Sequence, residues 1–386
     1  MLTMAVGHSD EIEPLEAIAA AIDQCRAALG GTAPQAALLL SAFGSFEPAV
    51  IAAIREAFPG VVLVGSTSAA EVSSVEGFLE DSVTLAVFAS DTVEFTAGFA
   101  EGLATDAETA CRAAAAEALA ATTEEPRLAI VFVNPYSVDP QRTSAAMTRA
   151  LPEGVVMVGG GSARLELGVQ TPTYQFCGDR VADDGVAVLL LSGRLAISVA
   201  VGTGWRTLGD RGTVTAVRGG SLEAIDGQPA SDFLRRYLDL TGPPPSGNPL
   251  AVVESGTDRS YLRAIMGADA STGVVRIHGG VPVGATVQLT TAGTDEILAG
   301  TRDAIARAQA DFPVDARPEA ALMFSCMIRK YLLGTRTRVE AEMARQAYGP
   351  GIPLAGLYCA GEIGPVSEGG TSRFLNETFV TVLLGT

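Results

Sequence analysis

The chain repeats itself three times, and this constrains its fold more than any other feature. Residues 61–71 read VVLVGSTSAAE and residues 155–164 read VVMVGGGSAR. A weaker third copy, residues 352–362, reads IPLAGLYCAGE. Each is a short apolar run that stops at a turn of small residues, the pattern of a buried strand entering a Gly-rich turn. Another apolar run lies upstream of each turn, at 37–40, 128–133 and 321–324. Between the two runs the spacing predicts a helix: Pro48 to Phe58, Pro140 to Leu151, and Arg336 to Tyr348 with Val339, Met343 and Ala347 on one stripe. A longer helix with an acidic start precedes each unit, at Ser9-Asp10-Glu11, Thr105-Asp106 and Thr294-Asp295-Glu296.

After each turn an apolar strand follows, at 82–88, 185–191 and 378–384. The first two are expected to continue into hairpins with 92–99 and 195–201. The fold class expected is therefore α/β. Its units read helix–strand–helix–strand–turn–strand, with helices covering the sheets. Residues 1–215 would hold two units. Residues 216–386 would hold the third, together with a β-rich segment inserted at about 205–290. That insert carries one helix near Pro229 to Leu240 and a Pro- and Gly-rich loop at 241–247.

Composition removes whole classes of function. The net charge is −18 over 386 residues, which argues against a nucleic-acid or anionic-membrane partner, since phosphate binding needs clustered Lys and Arg. Residues 1–200 carry most of the excess, with 9 basic and 25 acidic side chains. The chain has one lysine, Lys330, and no GxxxxGK, so a Walker-type loop is out, and Schiff-base chemistry would have to use Lys330. Its two histidines, His8 and His278, exclude HExxH and a His-rich zinc site. His8 is expected at a frayed terminus. Five cysteines without CxxC read as a reduced, cytoplasmic protein with no metal site. No basic leader or long apolar run is present, so neither secretion nor membrane insertion is expected.

Three groups of residues are candidates for binding. Strand-end turns can offer backbone N–H groups to an anion, which selects Ser66, Thr67, Ser68, Gly160, Gly161 and Ser162. The same glycines can equally serve tight packing. Arg329 can fork a carboxylate and Glu362 can hold an ammonium, which together suit an amino-acid-like ligand. They can equally pair with each other or with neighbours as a structural ion pair. Tyr358 adjoins the third turn, and Arg263 is a weaker candidate on an unrepeated strand. Cys326 and Cys359 lie in the third copy; a cation such as Arg329 could lower a thiol pKa there and make an enzyme with a reactive cysteine. No general base or catalytic residue stands out.

Here the residues resemble a known family. Phe324-Ser325-Cys326-Met327-Ile328-Arg329, with residues 353–365 (PLAGLYCAGEIGP) and Phe374-Leu375-Asn376-Glu377-Thr378, resembles the C-terminal signature of the FIST family (F-box and intracellular signal transduction). Residues 64–71 (VGSTSAAE), and Gly159-Gly160-Gly161-Ser162-Ala163 with Asp183-Asp184-Gly185, are similar to its N-terminal pattern. Ala70 stands where a glycine is usual. The resemblance implies a cytoplasmic sensory module that binds a small metabolite and signals to a separate protein partner, with homo-oligomers possible. It implies no catalytic residue. It also brings an alternative, a haem-based nitric-oxide sensor, for which His278 or Cys177 would be the axial ligand. Otherwise no cofactor is expected.

Overall fold

The computed structural model describes the chain except for residues 43–46, 137–138, 165–170, 241–246, 254–258 and 367–368. Most of the expected loop at 241–247 therefore lies outside the described residues.

Repeat one runs β1 (Leu2–Ser9), α1 (Pro14–Leu29), β2 (Ala36–Ala42), α2 (Pro48–Ala57), β3 (Val62–Ser68), β4 (Ala70–Ser73), β5 (Gly77–Leu79) and β6 (Val83–Ser90). Repeat two follows the same order: β7 (Val93–Glu101), α3 (Leu103–Ala121), β8 (Pro126–Val133), α4 (Pro140–Ala150), β9 (Val156–Gly161), β10 (Gln175–Cys177), β11 (Arg180–Ala182) and β12 (Gly185–Gly193). Repeat three opens with β13 (Ala196–Gly202) and then admits the insert. The insert holds β14 (Arg206–Arg218), β15 (Ser221–Ile225), β16 (Gln228–Pro229), α5 (Ala230–Leu234), β17 (Leu250–Val253), β18 (Ser260–Arg263), β19 (Ile265–Ala268), β20 (Val275–Ile277) and β21 (Thr286–Thr291). The repeat resumes with α6 (Thr294–Ala310), β22 (Pro318–Cys326), α7 (Met327–Leu333), α8 (Arg338–Tyr348), β23 (Leu354–Cys359), β24 (Glu362–Pro365), β25 (Ser372–Leu375) and β26 (Phe379–Gly385).

Local chemistry supports these elements. Proline stands in the first turn of α1, α2 and α4, where its missing N–H costs nothing. Gly30 ends α1 in the left-handed region, its N–H bonded to Arg26 O. Asp139 caps α4 by accepting from the Gln141 N–H.

Each repeat builds a sheet of the same order. Its opening strand pairs antiparallel with its closing strand, which pairs with the first of two parallel strands: β1-β6-β2-β3, β7-β12-β8-β9 and β13-β26-β22-β23. The parallel strands are apolar on both faces because both faces are covered. Leu38, Leu40, Ile130, Phe132, Leu322 and Phe324 face a core common to all three sheets. The alternate residues Leu39, Val131 and Met323 face helices. The α/β class and the repeat are thus as the sequence reads.

Pairing differs from expectation at two places. The expected hairpins do not form, because Val93–Glu101 pairs with β12 and Ala196–Gly202 with β26. Each of these strands opens the next repeat, and Phe95 and Phe99 of β7 enter the common core. The second difference is an exchange of hairpins. The β4–β5 hairpin joins the third repeat's sheet through β23, β10–β11 joins the first through β3, and β24–β25 joins the second through β9. The three sheets are linked in a ring, each repeat lending two strands to another.

Candidate functional site

The exchanged hairpins bring all three signature turns to one place. There the N–H of Ala69 donates to Tyr358 O at 2.8 Å, that of Ala163 to Thr67 O at 3.0 Å, and that of Ala360 to Gly161 O at 2.9 Å. These are equivalent positions of the three repeats, so the bonds close a cycle. Ser66 Oγ donates to Ser162 Oγ at 2.8 Å across two repeats. Ser66, Thr67, Ser68, Ser162, Cys359 and Glu362 all have no measurable exposure. The junction is closed, and these N–H groups are already bonded to carbonyls of the neighbouring turns. The glycines explain the repeated motif in packing terms. A Cβ on Gly65, Gly159 or Gly356 would collide with the carbonyl oxygen of Leu39, Val131 or Met323 on the neighbouring parallel strand.

Around the junction each repeat hangs one buried side chain between the turn and the start of its closing strand. In repeat one this is Glu71. Its carboxyl contacts Ser68 Oγ and accepts from Ser82, from N at 3.2 Å and from Oγ at 2.5 Å. In repeat three it is Glu362, which contacts Cys359 Sγ at 3.5 Å and accepts from Thr378, from N at 3.0 Å and from Oγ at 2.7 Å. Burial away from any cation pushes the Glu71 carboxyl up to about 8 and that of Glu362 to about 7. Ser82 Oγ also meets His8 Nε2 at 2.9 Å, and His8 Nδ1 meets Ser73 Oγ at 2.8 Å. His8 is therefore a buried strand residue, not a frayed end. Burial lowers its pKa to about 4.

The two arginines expected to face a ligand do not. Arg329 is fully buried, with every donor in use: Nε and Nη2 to Glu340 Oε1 at 3.1 and 2.6 Å, Nη1 to Thr203 O at 2.6 Å, and Nη2 to Ile297 O and Thr301 Oγ1 at 3.1 and 2.8 Å. It pairs structurally with Glu340, not with Glu362. This also corrects the stripe on α8, whose buried residues are Glu340, Ala341, Ala344 and Tyr348. Tyr358 OH donates to the same Glu340 at 2.9 Å. Arg263 ties the insert to the body through Phe374 O and Gln141 Oε1 at 2.9 and 2.8 Å, and bonds Gly280 O within the insert at 2.9 Å.

A reactive cysteine finds no support in this geometry. Cys326 and Cys359 are register neighbours on β22 and β23. Burial and the neighbouring Glu362 carboxyl raise both thiols well above their usual range. Arg329, expected to lower them, is engaged elsewhere. The haem ligands do not fit either. His278 is partly buried, its Nδ1 3.1 Å from Asn376 Nδ2 and its Nε2 3.3 Å from Pro135 O, so both ring nitrogens are used. Cys177 is buried in β10 and receives Arg180 Nη2 at 3.7 Å. Neither residue lines a described cavity. Among the described residues no group of three or more His, Cys, Asp or Glu could hold a metal ion.

Beside the closed junction lies an open cleft of about 830 Å³. Ala69 of the first signature turn forms part of its floor, with Met327 at the start of α7. Phe78 and Glu80 come from the hairpin that repeat one lends to repeat three, and Lys330 and Arg338 from α7 and α8. Lys330 Nζ meets Glu80 Oε1 at 2.5 Å. The cleft therefore joins two repeats and is lined by two cations and one carboxylate, with Arg338 Nε also 4.0 Å from Glu342 Oε1 on α8. Sequence reasoning used Lys330 only to discount Schiff-base chemistry; its being the sole lysine was the available signal.

A match to the FIST N domain spans residues 35–228, and one to the FIST C domain spans 230–365. The chain belongs to the FIST family. FIST domains are associated with sensing in signal transduction. An uncharacterized protein of Mycobacterium tuberculosis (strain CDC 1551 / Oshkosh) is 30% identical over 254 residues, which cover 62% of this FIST chain and 64% of that protein. The match thus spans under two thirds of that relative's length. An uncharacterized protein of Mycobacterium bovis is 27% identical over 385 residues, 95% of both chains. Among solved structures, a cyanuric acid hydrolase from A. caulinodans covers 99% of each chain at 10% identity and a TM-score of 0.35. A second cyanuric acid hydrolase, described as an innovation by structural concatenation, gives 13% identity and a TM-score of 0.34. Likeness of that degree bears on neither fold nor activity. Among the described residues no helix is long and apolar enough to cross a membrane.

Proposed function

We propose that this FIST-domain protein is a cytoplasmic sensor that binds a small anionic or amino-acid-like metabolite in the cleft beside the junction and signals to a separate protein. The observation that carries this reading is Lys330, the chain's one lysine, set with Arg338 in a cleft that spans two repeats. A carboxylate would take Lys330 and Arg338 through charge-assisted bonds, and an ammonium would take Glu80. Phe78 and Tyr331 supply apolar wall. A ligand held between the lent hairpin and α7–α8 shifts their relative positions only if it binds two arrangements with different affinity.

Titration calorimetry against amino acids and small organic acids tests this. Lys330→Ala should weaken binding by about 1.5–3 kcal/mol, roughly ten- to a hundred-fold. Glu80→Ala distinguishes the two ligand classes: it strengthens a simple anion by freeing Lys330 and weakens an amino acid by removing the ammonium's partner. Affinities unchanged in both Lys330→Ala and Arg338→Ala would overturn the site, as would a panel in which nothing binds.

A further inference from the structure

The junction holds three equivalent bridges, and one of them is not an acid. Glu71 on β4 pairs in register with Leu357, Glu362 on β24 with Gly160, and Gln175 on β10 with Ser66. Leu357, Gly160 and Ser66 each follow the signature glycine of their own repeat, so the three bridging side chains occupy the same place. Their partners match as well. Gln175 Nε2 donates to Ser162 Oγ at 2.6 Å and its Oε1 accepts from Gly185 N at 2.9 Å. Ser162 is the counterpart of Ser68 and Cys359, and Gly185 of Ser82 and Thr378. In repeat two the bridge is thus one donor and one acceptor with no charge.

We propose that Glu71 and Glu362 stand in the folded protein as neutral carboxylic acids, each supplying by its O–H and C=O the bridge that the Gln175 amide supplies in repeat two, and that their ionisation is a switch that loosens the junction. A protonated carboxyl has one donor and one acceptor, as an amide does. In repeat three the geometry is consistent: Cys359 Sγ lies 3.6 Å from Ser325 O, which can take its S–H, leaving the sulfur to accept from Glu362. An ionised carboxylate would have no donor, and among the described residues no cation bonds either carboxyl.

The surroundings of each acid point the same way. Around Glu71 stand Ser68 on β3, Ser82 and the acidic Asp81 before β6, and, through Ser82, His8 on β1, which its burial keeps neutral. Around Glu362 stand Cys359 and Cys326 on β23 and β22, and Glu377 and Thr378 before β26. Glu377 is itself buried, with Oε2 lacking a hydrogen-bond partner. The nearest cation, Arg329, bonds the Glu377 carbonyl at 3.4 Å and is neutralised by Glu340. The raised pKa values of Glu71 and Glu362 follow from this setting. Loss of the protons to solvent would place like charges at the one point where all three repeats meet. This inference is independent of the proposed ligand.

The experiment compares the full-length protein with Glu71→Gln, Glu362→Gln and the double variant, together with Gln175→Glu. Thermal unfolding is followed from pH 5 to pH 9. Each Glu→Gln change should keep the melting temperature at pH 5 and remove part of its fall towards pH 9. Gln175→Glu should add to that fall. Unfolding near pH 6 should release about two fewer protons in the double variant. Parallel melting curves across the whole range would overturn the proposal. Should the variants fail to fold, the infrared spectrum of the wild type decides. A carbonyl stretch of protonated carboxyl, present at neutral pH and lost on alkaline titration, is expected; its absence at neutral pH overturns the proposal.

Discussion

Glu340 and Glu362 lie in the same repeat, both without measurable exposure, and the fold treats them differently. Glu340 on α8 receives Arg329 Nε and Nη2, Ser325 Oγ, Thr301 Oγ1 and Tyr358 OH, so two of its five bonds come from a guanidinium. Glu362 on β24 receives the hydroxyl and N–H of Thr378 and meets the Cys359 sulfur. Only the first has a cation. The contrast shows that depth alone does not set the charge of a buried acid here; the donors around it do. The ion-paired region clamps α6, α7 and α8 to the third sheet. The neutral region joins the three sheets.

The largest effect should come from breaking the clamp. Arg329→Ala leaves Glu340 charged in the interior and strips the carbonyls of Thr203 and Ile297 of a donor. We expect a loss of about 3–5 kcal/mol in urea unfolding. Replacing both members with apolar residues, as in Arg329→Met with Glu340→Leu, should recover much of that loss. A single-variant cost well under 1 kcal/mol would mean that Glu340 is not ionised, and the contrast with Glu362 would disappear.

The second effect separates size from charge at the junction. Glu362→Ala orphans the N–H and hydroxyl of Thr378 and should cost about 1–3 kcal/mol. Glu362→Gln restores both acceptor bonds and should lie within about 1 kcal/mol of wild type at pH 5. The pH dependence gives the same comparison a sign. The Glu71 and Glu362 carboxyls are raised from 4.5 to about 8 and about 7, so the folded state prefers the proton. Their contribution is complete below pH 4.5 and falls as pH rises through that window, by about 1.4 kcal/mol per pH unit for each group. His8 and His278 work in the opposite direction. Both are lowered from 6.5 to about 4 by burial, so their contribution is complete above pH 6.5 and is lost as pH falls towards 4. Stability should therefore decline towards both acid and alkali, and the Gln variants should flatten the alkaline limb alone.

Much of this fold was legible because one repeat carries it. An apolar run, a close-packing glycine and a small-residue turn recur at Gly65, Gly159 and Gly356, and each recurrence marks a parallel strand. Pairing between repeats was not legible. The β4, β10 and β24 strands are three or four residues long, and nothing in so short a run says which sheet it will join. The equivalence of Gln175 with the two glutamates was hidden by the eleven intervening residues, 164–174, where repeats one and three have one. Glu340 was missed because a helical acid reads as exposed until its partner is known, and that partner, Arg329, is eleven residues away on another helix. His8 was misplaced because a strand near the chain start looks like a loose end, whereas β1 is paired along its whole length with β6. The candidate site was legible only in outline. The turns do converge, but their polar groups face one another, and the charged groups of the open space beside them, Glu80, Lys330 and Arg338, carry no repeat signal.

The smallest effect on stability is expected at that open space. Lys330 and Glu80 make an ion pair at 2.5 Å; the Lys330 side chain is 16% exposed and that of Glu80 56%, so water and salt compete for the pair through its carboxylate. Lys330→Ala should cost no more than about 1 kcal/mol, the range of an ion pair with a solvated partner. This near-neutrality is itself informative beside Arg329. Of two adjacent cations on α7, one is saturated by the fold and its loss should be severe. The other has one exposed carboxylate for a partner and can exchange it for a ligand without unsettling the core. If unfolding showed Lys330→Ala to be as costly as Arg329→Ala, Lys330 would be another clamp and the cleft would lose its exchangeable cation. A stable Lys330→Ala protein that no longer responds to any acid bound by the wild type would leave the division between the two cations standing.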